Sequence, residues 1–389
     1  KYPSYWHNLG LALAWCHRER AEADRVAGRQ RADKWLATRL VPGPREQPRI
    51  AVVVPCYNHE RFVRRALQSV FEQTYQHIEL VVIDDGSTDT TAELARQALA
   101  GSPFPHRFVT RSNRGAAATI NEGVGLSTAP YINILNSDDW FHQDRLASMV
   151  RDVVGAGAPW GFGGIVCVDE ADRTIDVNRN DRARILSRLA EVVVGERETT
   201  GFAFLTDNVA ISSGNLFFSR PLFERIGGFR DLRYNHDWDF CLRALRCAEP
   251  AFGVEPTYAY RLHGGNTIDG AVHGGGREEA DRILEDYIAW GMTDRADGYP
   301  IAPSWRDWGM YFVCALIGGG IASRFEPEFL RALAESHVTG QTTAGAGPPY
   351  PQMELPVPWA GRRNHAGKLV VNERDESRPS GHRVPSEGR

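Results

Sequence analysis

Residues 50–89, IAVVVPCYNHERFVRRALQSVFEQTYQHIELVVIDDGSTD, constrain the fold more than any other stretch of the chain. An apolar run, Ile50 to Val54, leads into a segment where Phe62, Ala66, Val70 and Val63, Leu67, Phe71 recur at helical spacing. A second apolar run, Leu80 to Ile83, then ends in Asp84 and Asp85. Apolar runs of this length between turn residues read as strands covered on both faces, the condition of a parallel sheet. The stretch is therefore a βαβ unit. Ligands of open parallel sheets sit beyond the carboxyl ends of the strands. Tyr57, Asn58 and His59 follow the first strand and the two aspartates close the second, so a binding site is expected there.

The pattern continues downstream. A helix over Thr91 to Ala100 leads to a short strand around Phe108 and Val109, and a helix opens among Gly115, Ala116, Ala117 and Ala118, whose small side chains permit close approach to the sheet or a ligand. Tyr131 to Leu135 is a further strand ending in Asn136-Ser137-Asp138-Asp139, and Gly163 to Val168 is another. Residues 174–205 carry no clear period. From Ile211 a strand is expected, then a helix started by Ser219 and Pro221 and stopped by Gly227 and Gly228. Trp238, Cys241, Leu242 and Leu245 share one helical face, which places Asp237 near a helix start. A strand from Thr257 runs into a glycine-rich turn, an amphipathic helix follows over Ala280 to Ile288, and two more helices are expected within 304–336.

The ends differ from the middle. Residues 1–47 read as a helical extension closed by a linker containing Pro42, Gly43 and Pro44, and the net-basic part from Arg18 to Arg49 suits either a solvated helix face or a surface for anionic lipid. From Val338 to the end, Gly, Pro, Thr and mixed charge point to a disordered tail. The remainder divides into a main domain, 48–270, and C-terminal helices, 271–337. A net charge of −4 gives no reason to expect a nucleic-acid partner. The six cysteines form no CxxC pair, and Cys56 and Cys167 lie in strand-like runs, so buried free thiols in a reducing compartment are expected. The apolar patch from Met310 is too short and glycine-rich to span a bilayer, and no signal peptide precedes the fold. A cytoplasmic protein is expected, at most peripheral at the inner face of a membrane. Its first residue, Lys1, fits a piece of a longer polypeptide.

Hard oxygen ligands at a strand end, as Asp138 and Asp139 provide, suit Mg²⁺ or Mn²⁺ shared with phosphates. Four strings in order, VVVPCYN, VVIDDGSTD, SNRGAAATINEG and ILNSDDW, together resemble the family 2 glycosyltransferases over roughly residues 48–270. That resemblance implies a GT-A type α/β three-layer sandwich with a mostly parallel central sheet. It also implies inverting transfer from a nucleotide-diphosphate sugar, UDP-linked by preference, to a saccharide or lipid-linked glycan in bacterial surface polysaccharide synthesis. By the same resemblance Pro55, Tyr57, Asn58, Asp84, Asp85 and Arg114 border the nucleotide, with Asp84 or Asp85 accepting an imide N–H. Asp138 holds the ribose, Asp139 and His263 hold Mn²⁺ or Mg²⁺, and Asp237 is the general base. Asn215 and Trp238 are candidates to border the acceptor, and Asp239 has a ready partner in Arg243 on the same helix. A sugar nucleotidyltransferase or a dehydrogenase would carry a glycine-rich loop after its first strand, and PCYNHE contains no glycine. A catalytically inactive glycan- or nucleotide-binding module of the same fold remains as the other class.

Overall fold

The structure is a computed structural model that describes residues 18–37, 47–266, 275–293, 299 and 301–318. Helix α1 (Arg18–Ala37) precedes β1 (Ile50–Cys56), α2 (Val63–Phe71), β2 (Ile78–Asp84), α3 (Thr91–Leu99), β3 (His106–Thr110), α4 (Ala116–Gly125), β4 (Tyr131–Ile134) and β5 (Trp140–Phe141). Then come α5 (Arg145–Met149), β6 (Trp160–Val168), α6 (Asp181–Glu196), α7 (Thr200–Ala203), β7 (Leu216–Ser219), α8 (Arg220–Ile226) and α9 (His236–Ala244). Strand β8 (Ala251–Arg261) and helices α10 (Gly276–Gly291), α11 (Trp305–Trp308) and α12 (Met310–Gly318) complete the described chain.

Eight strands form one sheet in the order β3-β2-β1-β4-β7-β6-β8-β5. The βαβ unit is present: β1 and β2 run parallel in register from Ile50 beside Ile78 to Cys56 beside Asp84. Both strands are buried except at Pro55 and Glu79, and α2 buries Val63, Ala66, Leu67 and Val70. Each Val, Ile or Leu so enclosed contributes about 1.5–3 kcal/mol, enough to fix these strand ends as a rigid floor. Pairing is parallel through β3-β2-β1-β4 and again between β6 and β8, whereas β7 lies antiparallel between β4 and β6 and β5 lies antiparallel on β8. The sheet is therefore mixed, with its parallel half at the nucleotide end predicted from the motifs.

Two local expectations need correction. The strand expected from Ile211 begins at Leu216, because Ile211 takes a positive φ of 70° and Ser213–Asn215 form a 3-10 turn. The run without clear period contains α6 and the short α7. The helix stop at Gly227 is as expected, with φ 76° at the end of α8.

Helix α1 packs against the C-terminal elements. Asp24 accepts from the Met310 N–H at 2.8 Å, and Arg25 and Arg29 reach the Glu198 carboxylate at 2.8 and 2.7 Å, so part of the basic face is used within the fold. Five cysteines are free among the described residues. No described helix is long and apolar enough to cross a membrane. The expected linker around Pro42, the tail from Val338 and the helical region beyond Gly318 lie outside the described residues.

Glu249, just before β8, is wholly buried. It accepts from the Gly201 N–H at 2.8 Å and the Tyr299 hydroxyl at 2.7 Å. Burial pushes its carboxyl up to about 7, although these donors favour the charged form. A carboxyl raised in the fold contributes stability that is complete below its unfolded pKa and is lost as pH rises through the folded value. Thermal melts of the wild type are expected to lose stability between pH 5 and pH 7.5 (on the order of 1–3 kcal/mol), and Glu249→Gln is expected to flatten that loss.

Candidate active site

The loops after β1 and β2 are tied to each other. Asn58, at φ 53°, accepts from the Thr88 N–H at 2.8 Å, and its own N–H donates to Ser87 Oγ at 2.9 Å. Its side chain is thus a stay between the loops. Asp85 is similarly engaged: Oδ1 accepts from the Arg111 guanidinium and from the Arg114 N–H at 2.8 Å, and Oδ2 accepts from the Gly115 N–H at 2.9 Å. Gly86 makes this fit possible, since at φ 75° a Cβ there would lie 2.7 Å from the Asn113 nitrogen.

Asp84 differs. Its Oδ2 accepts from the Ser87 N–H at 3.2 Å, but its Oδ1 is buried with no hydrogen-bond partner. A buried acceptor left unpaired costs about 1–3 kcal/mol, more for a carboxylate, so the position is suited to a donor brought by a ligand. Tyr57 is 45% exposed, Pro55 is half-buried, and the Arg114 side chain extends into solvent 3.8 Å from Glu122.

The consecutive aspartates after β4 face opposite ways. Asp139 is buried, accepts from the Tyr258 hydroxyl and accepts from the Arg261 N–H at 2.8 Å, so it fastens the end of β8 to the β4–β5 turn. Burial, then the neighbouring Asp138 charge, pushes its carboxyl well above the usual range. Asp138 instead meets His263 Nε2 at 3.1 Å and His59 Nε2 at 3.8 Å. Burial pushes the Asp138 carboxyl up, yet the two imidazoles outweigh it and hold it below the ordinary value. The carboxyl that faces the candidate cation ligands is therefore Asp138 rather than the expected Asp139, because both Asp139 oxygens already accept bonds from β8. Zinc and similar cations bind imidazole nitrogen and carboxylate oxygen at about 2.0–2.2 Å, which sets neighbouring donor atoms roughly 3 Å apart. The three donor atoms here lie within 4.8 Å of one another, and the set fits a divalent cation after a small contraction.

Asp138 and Asp237 line one cavity of about 350 Å³, with Asn136, Asn208, Ile211 and Tyr260 in its walls. Asp139 does not line it. Asp237 lies in the first turn of α9, is 9% exposed and accepts from the Trp238 N–H at 2.8 Å. Burial pushes its carboxyl above the usual range, partly offset by His236 and by hydrogen bonds from the Trp238 N–H and the Asn208 side chain. Desolvation thus prevails over the lowering expected of a helix N-terminus. Trp238 borders the cavity but is anchored in the core by its Nε1–H, which donates to the Phe204 carbonyl at 2.8 Å. Asn215 is not at the acceptor site. It is wholly buried, bonded through its side chain to both backbone groups of Gly163, and its carbonyl accepts from the buried Arg145 at 2.7 Å. Asp239 pairs with Arg243 at 2.6 Å as expected, but inside the protein rather than on the helix surface.

Three contributors escaped sequence reasoning. His59 stood in plain view after PCYN, but only the return of β8 brings His263 to it; Asn208 and Ile211 belong to a stretch with no legible period. Ile211 is a β-branched residue at positive φ in the cavity wall, a strained conformation of the kind that gathers at functional sites.

Of the His59–Asp138–His263 cluster, Asp138 shares one cavity with the buried Asp237, and Asp138 stands just beyond the carboxyl end of β4, whose pairing with β1 is parallel. Residues 51–226 match the model of Glycosyl transferase family 2. The match takes in Asp84 and Asp138 and stops before Asp237 and His263. The glycosyltransferase GlyA of Streptococcus pneumoniae is 33% identical over 126 residues, 32% of this chain and 18% of its own length. The succinoglycan biosynthesis protein ExoO of Rhizobium meliloti is 30% identical over 224 residues, 56% of this chain and 61% of its own length. Each of these two relatives is therefore matched over less than two thirds of its length. Among solved structures, the mannosyltransferase PcManGT from Pyrobaculum calidifontis in complex with GDP-Man and Mn²⁺ is similar over 88% of each chain, with 20% identity and a TM-score of 0.49.

The division between the aspartates is testable. Asp139→Ala strands the Tyr258 hydroxyl and the Arg261 N–H and is expected to cost about 2–4 kcal/mol, read as a lower urea midpoint. Asp138→Ala should cost about 1 kcal/mol or less by the same measurement while removing cation binding.

Proposed function

We propose that the chain is an inverting glycosyltransferase that moves a sugar from a nucleotide-diphosphate donor to a saccharide or lipid-linked glycan acceptor. The observation that carries this reading is the single cavity shared by Asp138 and Asp237. Asp84 Oδ1, buried and unpaired at the end of β2, accepts the imide N–H of the base, which favours uracil and makes UDP-sugars the preferred donors; guanine offers a comparable donor. Tyr57 and Pro55 flank the base. A divalent cation, when bound by Asp138 and the adjacent imidazoles, supplies charge neutralisation for the leaving diphosphate. Asp237 takes the proton of the acceptor hydroxyl as that oxygen bonds to the anomeric carbon. The bond from that carbon to the diphosphate oxygen breaks on the opposite face, and configuration inverts. The raised carboxyl suits this role, since burial makes Asp237 a stronger base than an exposed aspartate.

Placement in bacterial polysaccharide assembly draws support from the succinoglycan relative. A panel of nucleotide sugars assayed for release of free nucleoside diphosphate with a mixed glycan acceptor tests the reading. A UDP-sugar is expected to turn over, and Asp237→Asn should lower kcat by about 10²–10⁴-fold. Because the base works deprotonated, kcat/KM should rise with pH along an acid limb displaced above the ordinary aspartate value. Turnover of Asp237→Asn at the wild-type rate would overturn the assignment. Asp84→Ala should raise KM for the donor and weaken discrimination among nucleobases.

A further inference from the structure

We infer that Glu279 of α10 is a positioning residue for the acceptor: its carboxylate gathers the backbone of Arg233, Tyr234 and Asn235 and so sets the stretch of cavity wall that an acceptor meets beside Asp237. That an acceptor is what meets this wall rests on the transfer reading above; the clamp itself does not.

Three consecutive N–H groups converge on the one carboxylate. Glu279 Oε1 accepts from Arg233 at 2.9 Å, and Oε2 accepts from Tyr234 at 2.9 Å and from Asn235 at 3.1 Å. Successive amides that point the same way form a concavity suited to an anion, and here a side chain from the first turn of a separate helix fills it. Burial pushes the Glu279 carboxyl up, but the three amides outweigh it and hold it below the ordinary value, so the contact is made by the charged form. Asn235 strengthens the attachment. It stands at the cap position of α9, yet its side chain makes no capping bond there and donates instead to the Gly276 carbonyl at 2.7 Å. The chain entering α9 is thus tied to α10 rather than to its own helix. A second docking point lies two turns along the same face of α10, where Asp286 meets Arg230 at 3.2 Å and Arg246 at 3.0 Å, one before α9 and one after it.

What the clamp presents is a wall. Residues 233–238 line the cavity without a break, and the Arg233 guanidinium lies 5.2 Å from the centre of the Tyr234 ring. The helix that carries Asp237 is held by other bonds: Trp238 Nε1–H donates to the Phe204 carbonyl at 2.8 Å, and Asp239 pairs with Arg243 at 2.6 Å. Loss of the Glu279 carboxylate therefore loosens the wall ahead of α9 while Asp237 keeps its place. The loss falls on acceptor binding, read in KM, and spares the chemical step, read in kcat.

The test combines steady-state kinetics of the full chain, with a UDP-sugar donor and the mixed glycan acceptor, and hydrogen exchange read by mass spectrometry. Glu279→Ala should raise the apparent acceptor KM about tenfold and leave kcat and the donor KM within about threefold. Exchange should quicken in residues 230–238 and stay unchanged in β1 and β2. Glu279→Gln keeps the shape and one accepting oxygen, so its acceptor KM should rise only about threefold. Glu278→Ala, at the exposed neighbour, should alter neither readout. An acceptor KM unchanged in both Glu279 variants, a fall in kcat in place of the rise in KM, or exchange that quickens throughout the sheet would each overturn the inference. Turnover with an acceptor KM indifferent to Glu279 would sink this inference alone. Should every donor prove inert while exchange in Glu279→Ala quickens only in 230–238, the transfer reading alone falls.

Discussion

The site depends on the Asp139 carboxylate. By accepting the Tyr258 hydroxyl and the Arg261 N–H it binds the last turn of β8 to the turn after β4, although the two segments are far apart in sequence. Arg261, itself buried, then donates to the Asp138 and Asp169 carbonyls and to the Asp172 side chain. His263 follows two residues later and arrives beside Asp138 with no freedom left to choose otherwise. The inner aspartate builds the frame and the outer one is left free to act. Burial and the neighbouring Asp138 charge push the Asp139 carboxyl up, whereas the two imidazoles hold that of Asp138 below the ordinary value.

How much of this was legible follows from the range of the forces involved. The βαβ unit was legible because burial on both faces leaves a local mark, an unbroken apolar run, and β1, α2 and β2 formed where that mark lay. The location of the site at strand ends followed from the same logic. Which of Asp138 and Asp139 turns inward was not legible, since Asp139's partners belong to β8 and no local period tells an inward from an outward carboxyl in a turn. Asn215 misled for a related reason. A small polar residue in a serine- and glycine-containing turn reads as surface, and only the assembled structure shows it bridging Gly163 and the buried Arg145. That guanidinium, stripped of water, is pushed down to about 9 and stays in place because backbone and amide oxygens receive its protons.

Asp84 and Asp85 teach a finer lesson. Both end the same strand and neither differs in local sequence signal, yet Asp85 spends its oxygens on the loop that opens α4 while Asp84 keeps one unmatched. The distinction lies in what the fold leaves unsatisfied, which a list of motif positions does not record.

The walls of the cavity come from two kinds of structure. Asp138 stands on the rigid strand floor, whereas Leu186, Leu189, Ile211 and Tyr234 belong to α6 and to connections that take no part in strand pairing. Substitutions on those connections can therefore reshape the surface that faces the cavity without disturbing the strand end that carries Asp138, so floor and rim are free to diverge at different rates.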